Sequence, residues 1–257
     1  MNTGLPIDVT DTPLGWRYGA GMFGPPPELR RLDAIRASLR DPRCDGPDPV
    51  YAIVMDIGLD AHREDLRARH LLYGAVAYAA GRLGTEPVRS QGHVHRASPR
   101  NGWSTPELYE IWRGRACILM QETDRDDPGR CFAITAGPGE TVIVPPGWAH
   151  ATISADPSSP LVFGAWCDRA YGFAYDGVRG HGGLAHFPLL NETGELQWTA
   201  NPRYEARPLE CRGPRAYPDF GLTPGEPIYA QYARAPSRFD WVPNPETKAA
   251  AWNNFVP

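Results

Sequence analysis

From Val50 onward the chain is cut into short apolar runs by glycine, proline, aspartate and serine, and this punctuation constrains the fold more than any other feature. VYAIVMDI, LLYGAVAYAAG, LYEIWRG, ACILMQE, CFAITAG, ETVIVPPG, HATIS and PLVFGAW follow one another at strand length. Many short strands with frequent turns predict an all-β sandwich or barrel. No repeat or low-complexity segment interrupts the series.

Both flanks differ from this core. Before it, PELRRLDAIRASLRDP sets Leu29, Leu32, Ile35 and Leu39 at helical spacing behind Pro27, which predicts one helix within an N-terminal arm of residues 1–49. Inside the core, AHREDLRARH suits a helical turn or a polar loop equally well. The β core is expected over 50–204, and a third segment over 205–257. There Pro208, Pro214, Pro218, Pro224, Pro227, Pro236, Pro243, Pro245 and Pro257 forbid a long helix. Tyr217, Phe220, Tyr229, Tyr232, Phe239, Trp241, Trp252 and Phe255 would be costly to leave in water. The tail is therefore expected to lie extended against the barrel or a second subunit.

Composition narrows the class of partner. With 26 basic and 30 acidic residues and no long run of either sign, the net charge of -4 suggests neither a nucleic-acid groove nor a polybasic membrane patch. The first residues lack a basic and an apolar leader region, no apolar run reaches the roughly 20 residues of a membrane span, and a cytoplasmic protein is expected. Five cysteines without a CxxC pair suit reduced thiols in packing roles. A small molecule is the expected partner.

The chemistry concentrates in QGHVHRASPRNGWSTPELYEIWRG, residues 91–114. On a strand, residues two apart point to the same side, so His93 and His95 share a face, as do Glu107 and Tyr109. Two adjacent antiparallel strands would aim both pairs at one point. Downstream, the run Val142-Ile143-Val144 ends at Pro145-Pro146-Gly147 and delivers His150 toward the same cavity. Three neutral imidazoles and a carboxylate form a borderline donor set for divalent Fe, Mn, Co, Ni or Zn. Any one of these residues alone has an ordinary structural role, and their joint spacing is what points to a metal.

That spacing resembles the two cupin motifs. The first is carried by His93, His95, Glu107 and Gly114, and the second by Gly139, Pro145, Gly147 and His150. TPELYEIWRGRACILMQE, PGETVIVPPGWAHATIS and the stretch from Pro160 to Tyr204 further resemble the metal-dependent, cupin-type glucose-6-phosphate isomerases of archaea and some bacteria. The resemblance implies a cupin double-stranded β-helix (jelly-roll) barrel, a homodimer, one divalent transition metal per subunit and interconversion of glucose 6-phosphate with fructose 6-phosphate. It puts His93, His95, Glu107 and His150 on the metal, and Tyr109 and Tyr175 beside the sugar phosphate. Glu107 and Tyr109 are the candidate acid/base pair, and Ser90, Gly92 and Arg96 join Tyr109 and Tyr175 as candidate substrate contacts.

The departures from that family all fall on the phosphate side. Ser90-Gln91 stands where the family usually has Thr-Lys, Val76 or Ala75 where it has a threonine, and Phe173 where it has a histidine. Losing a lysine and a histidine removes charge where charge-assisted hydrogen bonds are strongest. Arg96 and Arg100, in the long loop after His95, are the expected replacements. The alternative is a metal-dependent cupin enzyme turned to another small polar metabolite of a specialised biosynthetic pathway. A purely sugar-binding or structural barrel would have no need of all four ligand types.

Overall fold

The computed structural model describes residues 1–257. Its frame is two facing sheets. The strands of these sheets and of one separate ribbon are, in chain order, β1 (Glu28–Arg30), β2 (Tyr51–Met55), β3 (Leu71–Tyr78), β4 (Val94–His95), β5 (Glu107–Arg113), β6 (Ala116–Gln121), β7 (Cys131–Ala136), β8 (Thr141–Val144), β9 (Ala149–Ser154), β10 (Leu161–Asp168), β11 (Phe173–Ala174) and β12 (Leu209–Arg212). One sheet has six strands, in the order β8-β5-β10-β3-β2-β1, and the other four, in the order β9-β6-β7-β12. β4 and β11 form a two-stranded ribbon of their own. Within the two sheets every pairing is antiparallel except β7 with β12. The architecture is mostly β with minor helices. No continuous ladder joins the two sheets, so the expected closed barrel is represented by an open pair of sheets.

Strand alternation divides the apolar residues into layers. Tyr51, Tyr78, Tyr109, Ile111, Val142, Val144, Phe163 and Ala165 of the large sheet meet Ile118, Met120, Phe132 and Ile134 of the small one. The intervening residues of the large sheet, among them Ala52, Val54, Tyr73, Ala75, Leu108, Trp112 and Trp166, face the other way. Gly164 is needed on this outer side, since a Cβ there would overlap the ring of Trp112 and the hydroxyl of Tyr73.

The outer layer would be solvent-facing but for the chain ends. Trp16, Tyr217, Phe220, Ile228, Tyr229, Tyr232, Phe239, Trp241 and Phe255 are buried in one cluster with it. Tyr229 stacks on Trp166 at 5.6 Å, and its hydroxyl accepts from the Leu59 amide at 2.9 Å. Arg69 pairs with Asp240 at 2.7 Å. The tail is not extended throughout. After β12 it winds through 3-10 turns and one short helix, Ile228–Arg234, which starts directly after Pro227, where a missing N–H costs nothing.

The expected N-terminal helix is not formed. Glu28–Arg30 is instead an edge strand on β2, followed by two 3-10 turns, Leu32–Ala34 and Arg36–Ser38. Leu32, Ile35 and Leu39 are buried, as an apolar face requires, while Leu29 points out and is 41% exposed. A three-residue turn brings positions 32 and 35 to the same side nearly as well as an α-helix does, and the free edge of β2 claims the rest. AHREDLRARH forms a 3-10 turn and one short helix, Arg63–Ala68. No helix is long and apolar enough to cross a membrane.

Candidate metal centre

His93, His95, Glu107 and His150 converge, their donor atoms all within 4.8 Å of one another. They do not come from two adjacent strands as the spacing alone suggested. The histidines belong to the small-sheet side, where the segment before β4 runs antiparallel to β9. His93 and His150 exchange backbone hydrogen bonds of 3.0 and 2.9 Å. Glu107 and Tyr109 come from β5 of the facing sheet. The cluster therefore spans the interior between the sheets. Directly opposite residues share a face, and His150 lies opposite Met120, an inner-layer residue.

Hydrogen bonds on the far side of two rings set their tautomers. His95 Nδ1 lies 3.1 Å from the Thr105 carbonyl, and His150 Nδ1 3.1 Å from the Trp148 carbonyl. A carbonyl only accepts, so each Nδ1 donates and each Nε2 is left with a lone pair facing the cluster. His95 Nε2 is 3.1 Å from His93 Nε2, and His150 Nε2 is 3.2 Å from Glu107 Oε2. Lone pairs aimed at a carboxylate from that distance are what a cation satisfies. Two ligands on opposite sides of a first-row ion, with bonds of about 2.1 Å, sit roughly 4.2 Å apart. The donor set thus fits such an ion with a small contraction.

The electrostatics favour the same state. Burial, followed by the neighbouring His150 and His95, holds His93 well below the ordinary histidine range. Burial pushes His95 down to about 4 against the pull of Glu107. Both rings are neutral ligands at physiological pH. Burial works to raise the Glu107 carboxyl, but the His150 hydrogen bond, the nearby histidines and Tyr109 outweigh it, and it stays below the ordinary range. The Tyr109 hydroxyl donates to Glu107 Oε2 at 2.6 Å, and burial and that carboxylate hold its own pKa well above normal.

Other expected contacts are placed unequally. Phe173, opposite His95 in the β4–β11 ribbon, packs its ring 4.6 Å from His93 and 5.6 Å from His95, covering the cluster. Tyr175 lies 6.1 Å from His93. Gly92 has a φ of +88° where the chain turns into the histidine pair, a conformation that favours glycine. The Ser90 hydroxyl accepts from the Thr152 amide at 3.1 Å, and Gln91 accepts from Arg179 at 2.9 Å. Arg96 is exposed beside Gly172. Arg100 donates to Pro243 and Asn244 of the tail. Neither loop arginine is brought to the cluster. Two clefts, of about 550 and 490 Å³, lie elsewhere on the surface, one around Arg40, His181 and Arg203 and the other around Glu140 and Tyr217. Phe173 and Tyr175, both half-buried, lie against His93.

Sequence reasoning passed over Arg30 and Arg179. Arg179, in the short helix Asp176–Gly180, lies 4.8 Å over the Tyr175 ring. Arg30 faces the interior from β1, which the helical reading of that segment concealed.

The family model described as glucose-6-phosphate isomerase matches residues 32–207. The glucose-6-phosphate isomerase of Thermococcus kodakarensis is 30% identical over 159 residues, covering 62% of this chain and 75% of that one. That of Pyrococcus furiosus is 28% identical over 183 residues, covering 69% and 87%. Among solved structures, a recombinant oxalate oxidase in complex with glycolate superposes with a TM-score of 0.35 at 17% identity, over 49% of this chain and 54% of that one. A likeness so low carries no argument about fold or chemistry.

Proposed function

Because the chain belongs to the cupin-type glucose-6-phosphate isomerase family, we propose that it is a metal-dependent aldose-ketose isomerase acting on glucose 6-phosphate and fructose 6-phosphate. The observation that carries this reading is the convergence of His93, His95, Glu107 and His150 with the Tyr109 hydroxyl 2.6 Å from Glu107. A divalent first-row ion held by those four residues would supply Lewis acidity toward a sugar carbonyl and its adjacent hydroxyl. The histidines, neutral and fixed by the Thr105 and Trp148 carbonyls, hold their lone pairs inward. Glu107 stays ionised and is the group able to take a proton from the sugar carbon next to the carbonyl. Tyr109 keeps its proton and donates a hydrogen bond to Glu107, which orients that carboxylate, and the proton Glu107 takes from one sugar carbon is returned by it to the neighbouring carbon. Phe173 and Tyr175 flank His93.

We further propose the homodimer and the cytoplasmic setting expected from the sequence, with a cupin domain over 50–204, an arm over 1–49 and a tail over 205–257 that packs on that domain or on the partner subunit. The test of the isomerase reading is an NMR assay of glucose 6-phosphate and fructose 6-phosphate on metal-loaded protein, with Glu107→Gln and Tyr109→Phe alongside. Turnover that falls on the order of a hundredfold or more in Glu107→Gln supports it. No turnover of either sugar phosphate by fully loaded protein would refute it. A second reading, a metal-dependent enzyme for a different small polar metabolite, is favoured by Phe173, whose ring packs against His93 and narrows the space above the cluster.

A further inference from the structure

We propose that Asn101 is a positioning residue for the candidate ligand His95, which it steadies by hanging the hairpin of residues 97–104 on the C-terminal tail. The inference rests on the four-residue metal centre and not on the identity of the sugar phosphate.

The stretch between His95 and Glu107 folds back on itself. Ala97 bridges Ser104, the Ser98 amide donates to the Trp103 carbonyl at 2.7 Å, and the Gly102 amide donates to the Ser98 carbonyl at 2.9 Å. The base of this hairpin holds the ligand. The Ser104 hydroxyl donates to the His95 carbonyl at 2.8 Å, and His95 Nδ1 donates to the Thr105 carbonyl at 3.1 Å. One contact to the main chain and one to the ring thus fix where the imidazole stands and which nitrogen keeps its lone pair. Thr105 is tied in turn to the end of β10, its hydroxyl accepting from the Asp168 amide at 2.9 Å.

The tip is held from outside. Asn101 is half-buried and uses its whole amide. Nδ2 donates to the Pro243 carbonyl and to Glu246 Oε2, both at 3.0 Å, and Oδ1 accepts from the Trp103 amide at 3.1 Å. A carbonyl only accepts and an amide N–H only donates, so the partners dictate this orientation and turning the group over would lose all three bonds. Arg100 adds longer bonds, 3.3 Å to the same carbonyl and 3.4 Å to Asn244 Oδ1.

The segment that receives the tip is itself anchored. Trp241 and Val242 are buried in the outer cluster, the Trp252 indole donates to the Pro245 carbonyl at 2.8 Å, and Asn244 Nδ2 donates to the Asp240 carbonyl at 2.8 Å. A surface hairpin with few buried contacts of its own opens easily, and a support rooted in the core restrains it. The residues that the family model matches end at 207, so every group that receives the Asn101 amide hydrogens lies outside that family's pattern.

The experiment compares the wild type with Asn101→Ala and with Glu246→Gln, which keeps an acceptor for Nδ2. In metal-free protein, 15N NMR of the imidazoles should show His95 of the wild type as the Nδ1–H tautomer alone, and in Asn101→Ala that tautomer exchanging with Nε2–H. In cobalt(II)-loaded protein, transfer of the ion to a chelator should be about fivefold faster for Asn101→Ala, less than the roughly ten- to hundredfold that follows loss of a ligand's direct partner, because Asn101 acts one step removed. The ligand-field absorption bands should shift with it, and Glu246→Gln should match the wild type throughout. A merely structural role would lower the melting temperature of Asn101→Ala and leave the His95 signal and the bands unchanged; that result overturns the proposal, as does ion release within twofold of the wild type. Hydrogen exchange of the wild type decides the matter if Asn101→Ala fails to fold, since a Trp103 amide exchanging at the rate of an unstructured chain would mean that Asn101 holds nothing. A wild type that bound no cobalt would undo the metal centre, and the metal-free His95 signal would still decide whether Asn101 positions that ring.

Discussion

Glu110 should make the protein lose stability as pH rises through neutrality. It is on β5 next to Tyr109, but it faces the opposite way, into the outer layer beneath the tail, where it is 2% exposed. Its Oε2 accepts from the Trp112 indole N–H at 3.0 Å and from the Ile228 amide at 3.3 Å. Burial pushes its pKa up from the ordinary 4.5 to about 7, and those two donors offset only part of the rise. The folded state thus holds the proton more tightly than the unfolded chain does. This contribution to stability is complete below pH 4.5 and is lost progressively as pH rises to about 7. At 1.36 kcal/mol for each tenfold change in affinity, the loss is roughly 3 kcal/mol. His95, held neutral in the fold, acts in the opposite direction between about pH 4 and 6.5, and His93, lowered as well, acts in the same sense as His95, so the prediction concerns the difference between two proteins. Urea denaturation from pH 5 to 8 should show Glu110→Gln gaining up to about 3 kcal/mol on the wild type, the gain building up between pH 5 and about 7 and levelling above. Parallel stability curves would refute the reasoning, since they would mean that the carboxyl ionises without cost beneath the tail.

Three further outcomes are expected. The double change His95→Ala/His150→Ala should remove most bound metal, read by elemental analysis, and full occupancy would sink the ligand assignment. Phe173→Ala should open the cover over His93 and speed the stripping of metal by a chelator several-fold or more. An unchanged rate would show that Phe173 does not gate the site. Tyr229→Ala deletes a fully buried ring stacked on Trp166 and should cost about 4 kcal/mol, lowering the melting temperature by roughly 10 °C. A shift of only a degree or two would mean that the tail contributes little to the core.

Much of the candidate metal centre was legible because its information is local. A strand repeats every two residues, so His-x-His and Glu-x-Tyr fix which side chains travel together before any partner is known. Pro145-Pro146-Gly147 ends one strand and delivers His150 three residues later, again within a short length of chain. The burial of the tail followed from the cost of leaving so many aromatic rings in water. Its path did not, because the surface it covers is built from Tyr73, Trp112 and Trp166 on three different strands.

What the sequence determined by itself was therefore strand character, the pairing of ligands within each segment, and the need for the tail to be buried, all set by backbone periodicity and apolar content. Tertiary structure alone decided that the histidines and Glu107 face each other across two sheets, that Phe173 lies over His93, and that PELRR is an edge strand carrying Arg30 inward. The segment at 27–42 shows why. Its apolar spacing satisfies a helix and a strand followed by 3-10 turns almost equally, and the open hydrogen-bonding edge of β2, more than twenty residues later, settles the choice. Local sequence has no access to a donor and acceptor row that exists only once the sheet is assembled.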